Sequence, residues 1–130
     1  MMKIIGTGVD IVSLKRIAEI HSRHPESFFK RILSKPERPE FESARNKAAF
    51  LAKRFAAKEA IVKALGTGMG RGLCFTDIII DHEPLGRPVV RLITNMKGVT
   101  IKDLEIHISI SDEQEYAVAY VIILDKDHRE

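Results

Sequence analysis

The sequence has no tryptophan, only two tyrosines and a single cysteine. No apolar run approaches the roughly 20 residues of a membrane-spanning helix. The shortage of large aromatics leaves few stacking platforms for single-stranded nucleic acid. Cys74, being alone, excludes an internal disulfide and any Cys-based metal cluster. Its place beside Phe75 in an apolar stretch reads as a buried, unreactive thiol. The opening Met-Met-Lys-Ile-Ile-Gly lacks the apolar core and small-residue cleavage site of a signal peptide, so a cytoplasmic location is expected. Neither sign of charge dominates: the net charge is +3 and the pI near 9.1. That mild excess suggests an anionic partner without naming one. There is no internal repeat and no low-complexity segment.

What is present fits one domain over residues 1–130, with 45% hydrophobic and 30% charged residues. The most informative stretch runs from Asn46 to Gly72. It is rich in Ala, Leu, Lys, Arg and Glu, with neither Pro nor Gly before Gly66. This composition predicts a helix ending at about Leu65, with Gly66 as the left-handed residue beyond it. At 100° per residue, Ala48, Ala52, Phe55, Ala56 and Val62 fall within roughly 60° of Glu59. Phe50, Ala57, Ile61 and Ala64 lie on the far side. A helix apolar on nearly all sides is normally buried. Glu59 then lies inside the protein or at the floor of a cleft, where an unpaired carboxylate is costly and seeks a cation. Lys63 at i+4, as a structural ion pair, is one candidate; a metal ion is the other.

Residues 3–12 read as a buried strand, with Gly6, Gly8 and Asp10 on one face by the period of two. The glycines leave room for something to approach the backbone next to the carboxylate. Asp10 could equally be a turn or cap residue at the strand end. Ser13 is a plausible N-cap for a helix reaching about His24, with an apolar stripe of Leu14, Ile17, Ile20 and His21. Phe28, Phe29, Ile32 and Leu33 suggest a second short helix. Ser34–Glu42, with two prolines, reads as a turn or loop. The basic residues of the first helix are either a solvated face or a docking surface for an acidic protein.

After the long helix comes G-T-G-M-G-R-G. It lacks the Gly-Lys-Ser/Thr ending of a P-loop and follows a helix, so it is either a connector or a loop whose N–H groups approach phosphate. Strands are predicted over residues 73–81 and 88–94, joined by a hairpin turn containing Pro84 and Gly86. Residues 95–103 permit a short helical turn. Residues 104–111 alternate, with Leu104, Ile106, Ile108 and Ile110 toward the core and Glu105, His107, Ser109 and Ser111 on the other face. His107 by itself reads as a solvent-exposed histidine. Asp112–Glu115 form a turn, and residues 116–124 return as a central strand, apolar on both faces. The pattern predicts an α+β domain with an antiparallel sheet packed on the long central helix.

Three blocks together resemble one family closely. They are I-G-T-G-V-D-I-V-S-L-K-R-I (5–17), F-L-A-K-R-F-A-A-K-E-A-I-V-K-A-L-G-T-G-M-G (50–70) and H-I-S-I-S-D-E-Q-E-Y-A-V-A-Y-V (107–121). G-R-P-V-V at 86–90 is a weaker fourth. The chain is thereby similar, over essentially its whole length, to the holo-acyl-carrier-protein synthases, the short bacterial 4′-phosphopantetheinyl transferases.

The resemblance implies transfer of the 4′-phosphopantetheine arm from coenzyme A to a serine of an apo acyl carrier protein, releasing adenosine 3′,5′-bisphosphate. It implies that Asp10 and Glu59 hold a Mg²⁺ ion that also binds the coenzyme A pyrophosphate. Lys63 matches a lysine that contacts coenzyme A phosphate. Arg54 matches an arginine that helps hold the nucleotide. Gly66, Thr67 and Gly68 would shape the pocket floor, Gly86, Arg87 and Pro88 a loop lining the nucleotide, and His107 a histidine beside the phosphates. The proton acceptor stays open between Glu59 and a metal-bound water. Asp112 stands where many relatives carry histidine, with a turn role favoured over an approach to the metal.

The resemblance further implies a homotrimer with coenzyme A between subunits, and docking of the acidic carrier on the first helix through Arg16 and Arg23. Two other readings compete. One is a non-catalytic basic module binding RNA or an acidic protein, which the paired acids in apolar settings argue against. The other is a transferase serving a polyketide or peptide-synthesis carrier.

Overall fold

The computed structural model describes residues 2–66, 73–93 and 103–126. The first strand, β1 (Lys3–Ser13), leads directly into α1 (Leu14–Arg23). Ser13 caps α1, its Oγ accepting from the Arg16 N–H at 3.2 Å. A second helix, α2 (Pro25–Ile32), begins on Pro25, where the missing N–H leaves no bond unmade.

The stretch expected as a loop over Ser34–Glu42 is instead a 3₁₀ turn, Lys35–Glu37, followed by the helix α3 (Arg38–Ser43). Both prolines fall in the first turn of these elements, so they start helix where their composition suggests a loop. The long helix α4 (Lys47–Leu65) starts at Asn46, whose side chain accepts from the Ala49 N–H. It ends at Gly66 with φ +70°, as the composition predicts.

β2 (Ile78–His82) is shorter than expected. Phe75–Asp77 forms a 3₁₀ turn because the Asp77 carboxylate accepts the Cys74 N–H at 2.8 Å. Cys74 is exposed at the head of that turn, which corrects its reading as a buried thiol. β3 (Pro88–Leu92) pairs antiparallel with β2 across a turn containing Gly86, at φ +96°. β4 (Leu104–Asp112) and β5 (Tyr116–Asp125) are the last elements among the described residues. The helical turn considered over residues 95–103 lies, apart from Asp103, outside the described residues.

The run of strands divides in two. One sheet has the order β1-β5-β4, antiparallel throughout, and β2-β3 is a separate hairpin. β5 is central, as its two apolar faces predict. The inner face of the sheet presents Ala117, Ala119, Val121 and Ile123, all fully buried, toward α4. α1, α2 and α3 cover other sides of α4, and Leu51, Ala52, Ala56, Ala57, Ala60 and Ile61 are fully buried. Each buried leucine or isoleucine contributes roughly 1.5–3 kcal/mol by leaving water.

A close contact in the core involves two glycines. A Cβ on Gly6 would stand 1.8 Å from the Ala64 carbonyl oxygen, and one on Gly8 2.0 Å from that of Ala60. What approaches the backbone beside Asp10 is therefore α4 itself. No residue with a side chain permits that approach.

Candidate active site

The same close approach brings Asp10 of β1 beside Glu59 and Lys63 of α4. Lys63 Nζ donates to Asp10 Oδ1 at 3.0 Å and to the Val9 carbonyl at 3.2 Å. Lys63, one of the two candidate partners of Glu59, thus reaches across to the strand. Glu59 accepts no hydrogen bond among the described residues. Burial, then the negative charge of Asp10, raises its pKa above the ordinary carboxyl value, and Lys63 opposes the rise. Both carboxylates face one cleft of about 350 Å³ that Ser13, Arg16, Phe28 and Phe55 also line.

Two acids directed into one half-buried cleft, one of them without a hydrogen-bond partner, suit a hard divalent cation. No group of three or more ligating side chains occurs among the described residues. A pair of carboxylates would leave most of a cation's shell to water and substrate oxygens, as Mg²⁺ tolerates.

Arg16 projects into this cleft from α1. Arg23, about two turns on, lines a separate shallow depression with Lys15 and Glu19. A second group of predicted residues gathers elsewhere. Arg87, Pro88 and His107 share a cleft of about 280 Å³ with Ser109 and Tyr120. His107 Nε2 lies 2.9 Å from Glu105 Oε2 on the same strand face. A single chain therefore does not bring Arg87, Pro88 and His107 into the cleft of Asp10 and Glu59. Gly86 and Pro88 also border a smaller hollow of about 200 Å³ with Lys53, Arg54, His82 and Asp112. Asp112 Oδ1 is 3.9 Å from Lys53 Nζ. The turn after β4 is capped instead by Glu113, whose Oε1 accepts from the N–H groups of Glu115 and Tyr116. The turn role favoured for Asp112 thus falls to its neighbour. Gly66 closes α4, while Thr67 and Gly68 lie outside the described residues.

Arg54 is 3% exposed. Its guanidinium donates to Glu37 Oε2 at 2.8 Å, to the Ile80 carbonyl at 2.9 Å and to Glu40 Oε2 at 3.1 Å. One turn later Lys58, wholly buried, donates to Glu37 Oε1 and to the carbonyls of Ile32 and Phe75. Sequence reasoning followed Glu59 and passed over Lys58 and Glu37. The available signal was an arginine and a lysine at i, i+4 among the alanines of a largely apolar helix, since buried cations also require partners.

Residues 6–121 match the family model of the 4′-phosphopantetheinyl transferase superfamily. The chain is 48% identical over 122 residues to a holo-[acyl-carrier-protein] synthase of Hydrogenovibrio crunogenus, covering 92% of this chain and 95% of the relative. Among solved structures it is similar to a holo-(acyl-carrier-protein) synthase from Bacillus anthracis in complex with CoA (3′,5′-ADP). That pair has a TM-score of 0.80 and 35% identity, over 96% of this chain and 99% of the other. The Helicobacter pylori holo-[acyl-carrier-protein] synthase in complex with coenzyme A gives a TM-score of 0.77 and 33% identity, over 90% of this chain and 98% of the other. The chain belongs to the holo-[acyl-carrier-protein] synthase family of the 4′-phosphopantetheinyl transferase superfamily.

Proposed function

We propose that this chain is a single-domain, cytoplasmic holo-[acyl-carrier-protein] synthase of fatty acid biosynthesis. It transfers the 4′-phosphopantetheine arm of coenzyme A to a serine hydroxyl of an apo acyl carrier protein. The observation that carries the site-level reading is the convergence of Asp10, Glu59 and Lys63 on one side of the β1–α4 contact.

In the reaction the serine oxygen forms a bond to the phosphorus that bears the pantetheine arm. The bond from that phosphorus to the bridging pyrophosphate oxygen breaks, and adenosine 3′,5′-bisphosphate leaves. Asp10 and Glu59 would hold Mg²⁺. When bound, that ion neutralises charge on the pyrophosphate and eases departure of the phosphate leaving group. Lys63, 51% exposed at its side chain, can swing from Asp10 to a substrate phosphate as a second positive charge. A Glu59 oxygen not engaged by the ion would be a proton acceptor in the same cleft. Arg16 at the rim and Arg23 further along α1 give the acidic carrier a basic approach.

A homotrimer completes the reading. The outer face of the sheet leaves Val9, Ile11, Tyr116 and Tyr120 from 46% to 63% exposed. Contiguous apolar area of this kind marks interaction sites. Closing copies of the chain on that face would allow Arg87, Pro88 and His107 of one subunit to meet the Asp10–Glu59 cleft of another around one coenzyme A. Arg54, held internally by Glu37 and Glu40, then supports the nucleotide loop from beneath, beside Gly86 and Pro88.

Intact-mass spectrometry of an apo acyl carrier protein incubated with the chain, coenzyme A and Mg²⁺ tests the activity. The expected result is a gain of one phosphopantetheine arm that EDTA abolishes. An unchanged carrier mass with folded protein and several carriers would overturn it.

A further inference from the structure

α4 poses a packing problem. Because it is buried on nearly every side, its hydrophobic pattern by itself does not select one rotation about its own axis, and the Gly6 and Gly8 contacts seat only its Ala60–Ala64 side on β1. Yet Glu59 serves the cleft only at one rotation. A helix with side chains has a radius of about 5–6 Å, so a rotation of about 10° carries a side-chain tip roughly 1 Å. Misplacement of that size in an active site can cost on the order of 100-fold in rate.

The polar groups of α4 hold its opposite side as well. Arg54 and Lys58 lie one turn apart and both end on Glu37, one on each carboxylate oxygen. Ser34 donates to the same carboxylate through its N–H at 2.9 Å and its hydroxyl at 2.8 Å. Burial opposes the ionisation of Glu37. Lys58 and the Ser34 and Arg54 hydrogen bonds outweigh it and hold the carboxyl below its usual range. Lys58 meets three acceptors, which an ammonium satisfies and a neutral amine does not. Lys58 is also the residue before Glu59, so α4 cannot turn at Glu59 without dragging this anchor.

We propose that Glu37 is a positioning residue of the active site: by clamping Arg54 and Lys58 it fixes the rotation of α4 and thereby aims Glu59 at Asp10. The proposal rests on the reading of Asp10 and Glu59 as the metal-holding pair. It extends that reading to a carboxylate which touches neither substrate nor metal.

A merely structural cluster behaves differently. Buried ion pairs are often replaceable by neutral groups of similar volume with little loss of stability. The double variant Glu37→Gln/Lys58→Met removes both charges together and leaves no ion unpaired. It is expected to fold, to keep its KM for coenzyme A within about twofold, and to lose roughly 10–100-fold in kcat, the range found for residues supporting metal ligands. Its affinity for Mn²⁺, read by electron paramagnetic resonance with adenosine 3′,5′-bisphosphate present, should fall in step. Glu37→Asp keeps the charge, shortens the clamp by one methylene, and is expected to show the same kcat loss if the double variant does not fold. Wild-type kcat and Mn²⁺ affinity in a folded variant would overturn the proposal, whatever happens to its melting temperature. Glu59→Gln measured alongside separates the two readings. Mn²⁺ binding and turnover that survive there would overturn the metal-pair assignment itself.

Discussion

Gly8 of β1 lies so close beneath Ala60 of α4 that a Cβ on the glycine would stand 2.0 Å from the Ala60 carbonyl oxygen. The obstacle is backbone, which cannot rotate aside as a side chain would. Gly8→Ala is therefore expected to lose about 1–3 kcal/mol of stability, the usual cost of overpacking a core. It should also weaken divalent-metal binding, because α4 must retreat from the strand that carries Asp10. Chemical denaturation with parallel metal titration checks both. An unchanged denaturation midpoint would mean that the contact is looser than described.

Glu59 gives a pH signature. Burial and then Asp10 raise its pKa, so the folded chain holds this proton more tightly than the unfolded chain does. Between the ordinary value of 4.5 and the raised folded value, the folded state binds the extra proton. Stability contributed here falls as pH rises through that window. Glu59→Gln removes the effect. Without divalent metal, the variant is expected to melt higher than the parent above the window and to converge with it below. Transfer activity is expected to fall at least about 100-fold, as when a preorganised charge-stabilising group is lost. Calorimetry over a pH series and a carrier mass assay read the two effects. Normal turnover would remove Glu59 from the site.

Arg16 lies at the rim of the same cleft, where a charge acts chiefly on encounter with an acidic partner. Arg16→Glu is expected to raise the KM for the carrier protein by about tenfold or more while leaving coenzyme A binding nearly unchanged. The parent's advantage should shrink as salt screens the approach. Steady-state kinetics and calorimetry separate the two. Equal losses for both substrates would refute the docking role.

Val9 carries its side chain on the outer sheet face, opposite Tyr120 in the β1–β5 register, and is 55% exposed. If copies of the chain close on this face, a charge at its centre is desolvated on association. Val9→Lys is then expected to convert a trimer into monomers with the helical signal intact, and to lower transfer activity with it. Sedimentation of parent and variant decides. A monomeric, fully active parent would dismiss the trimer.

Much of this molecule was legible in the chain itself. Composition placed α4 and its end at Gly66, because helix propensity and the left-handed tolerance of glycine are local properties. The period of two placed Gly6, Gly8 and Asp10 on one face, and two apolar faces made β5 central. Local rules failed where a residue type has two uses. Pro36 and Pro39, which suggest a loop, instead begin helical turns, and Asp77 turns an expected strand into a capped 3₁₀ turn that exposes Cys74.

Neighbours along the chain were enough to mark Asp10 and Glu59 as acids in apolar surroundings, but not Glu37, whose neighbours are polar. Their partners were decided only by tertiary structure. Lys63 takes Asp10 across the β1–α4 contact rather than Glu59 one turn away. Arg54 and Lys58 converge on Glu37, separated from them by 17 and 21 residues. A buried charge must find a counter-charge wherever packing offers one. Periodicity along one element cannot specify a partner that another element brings.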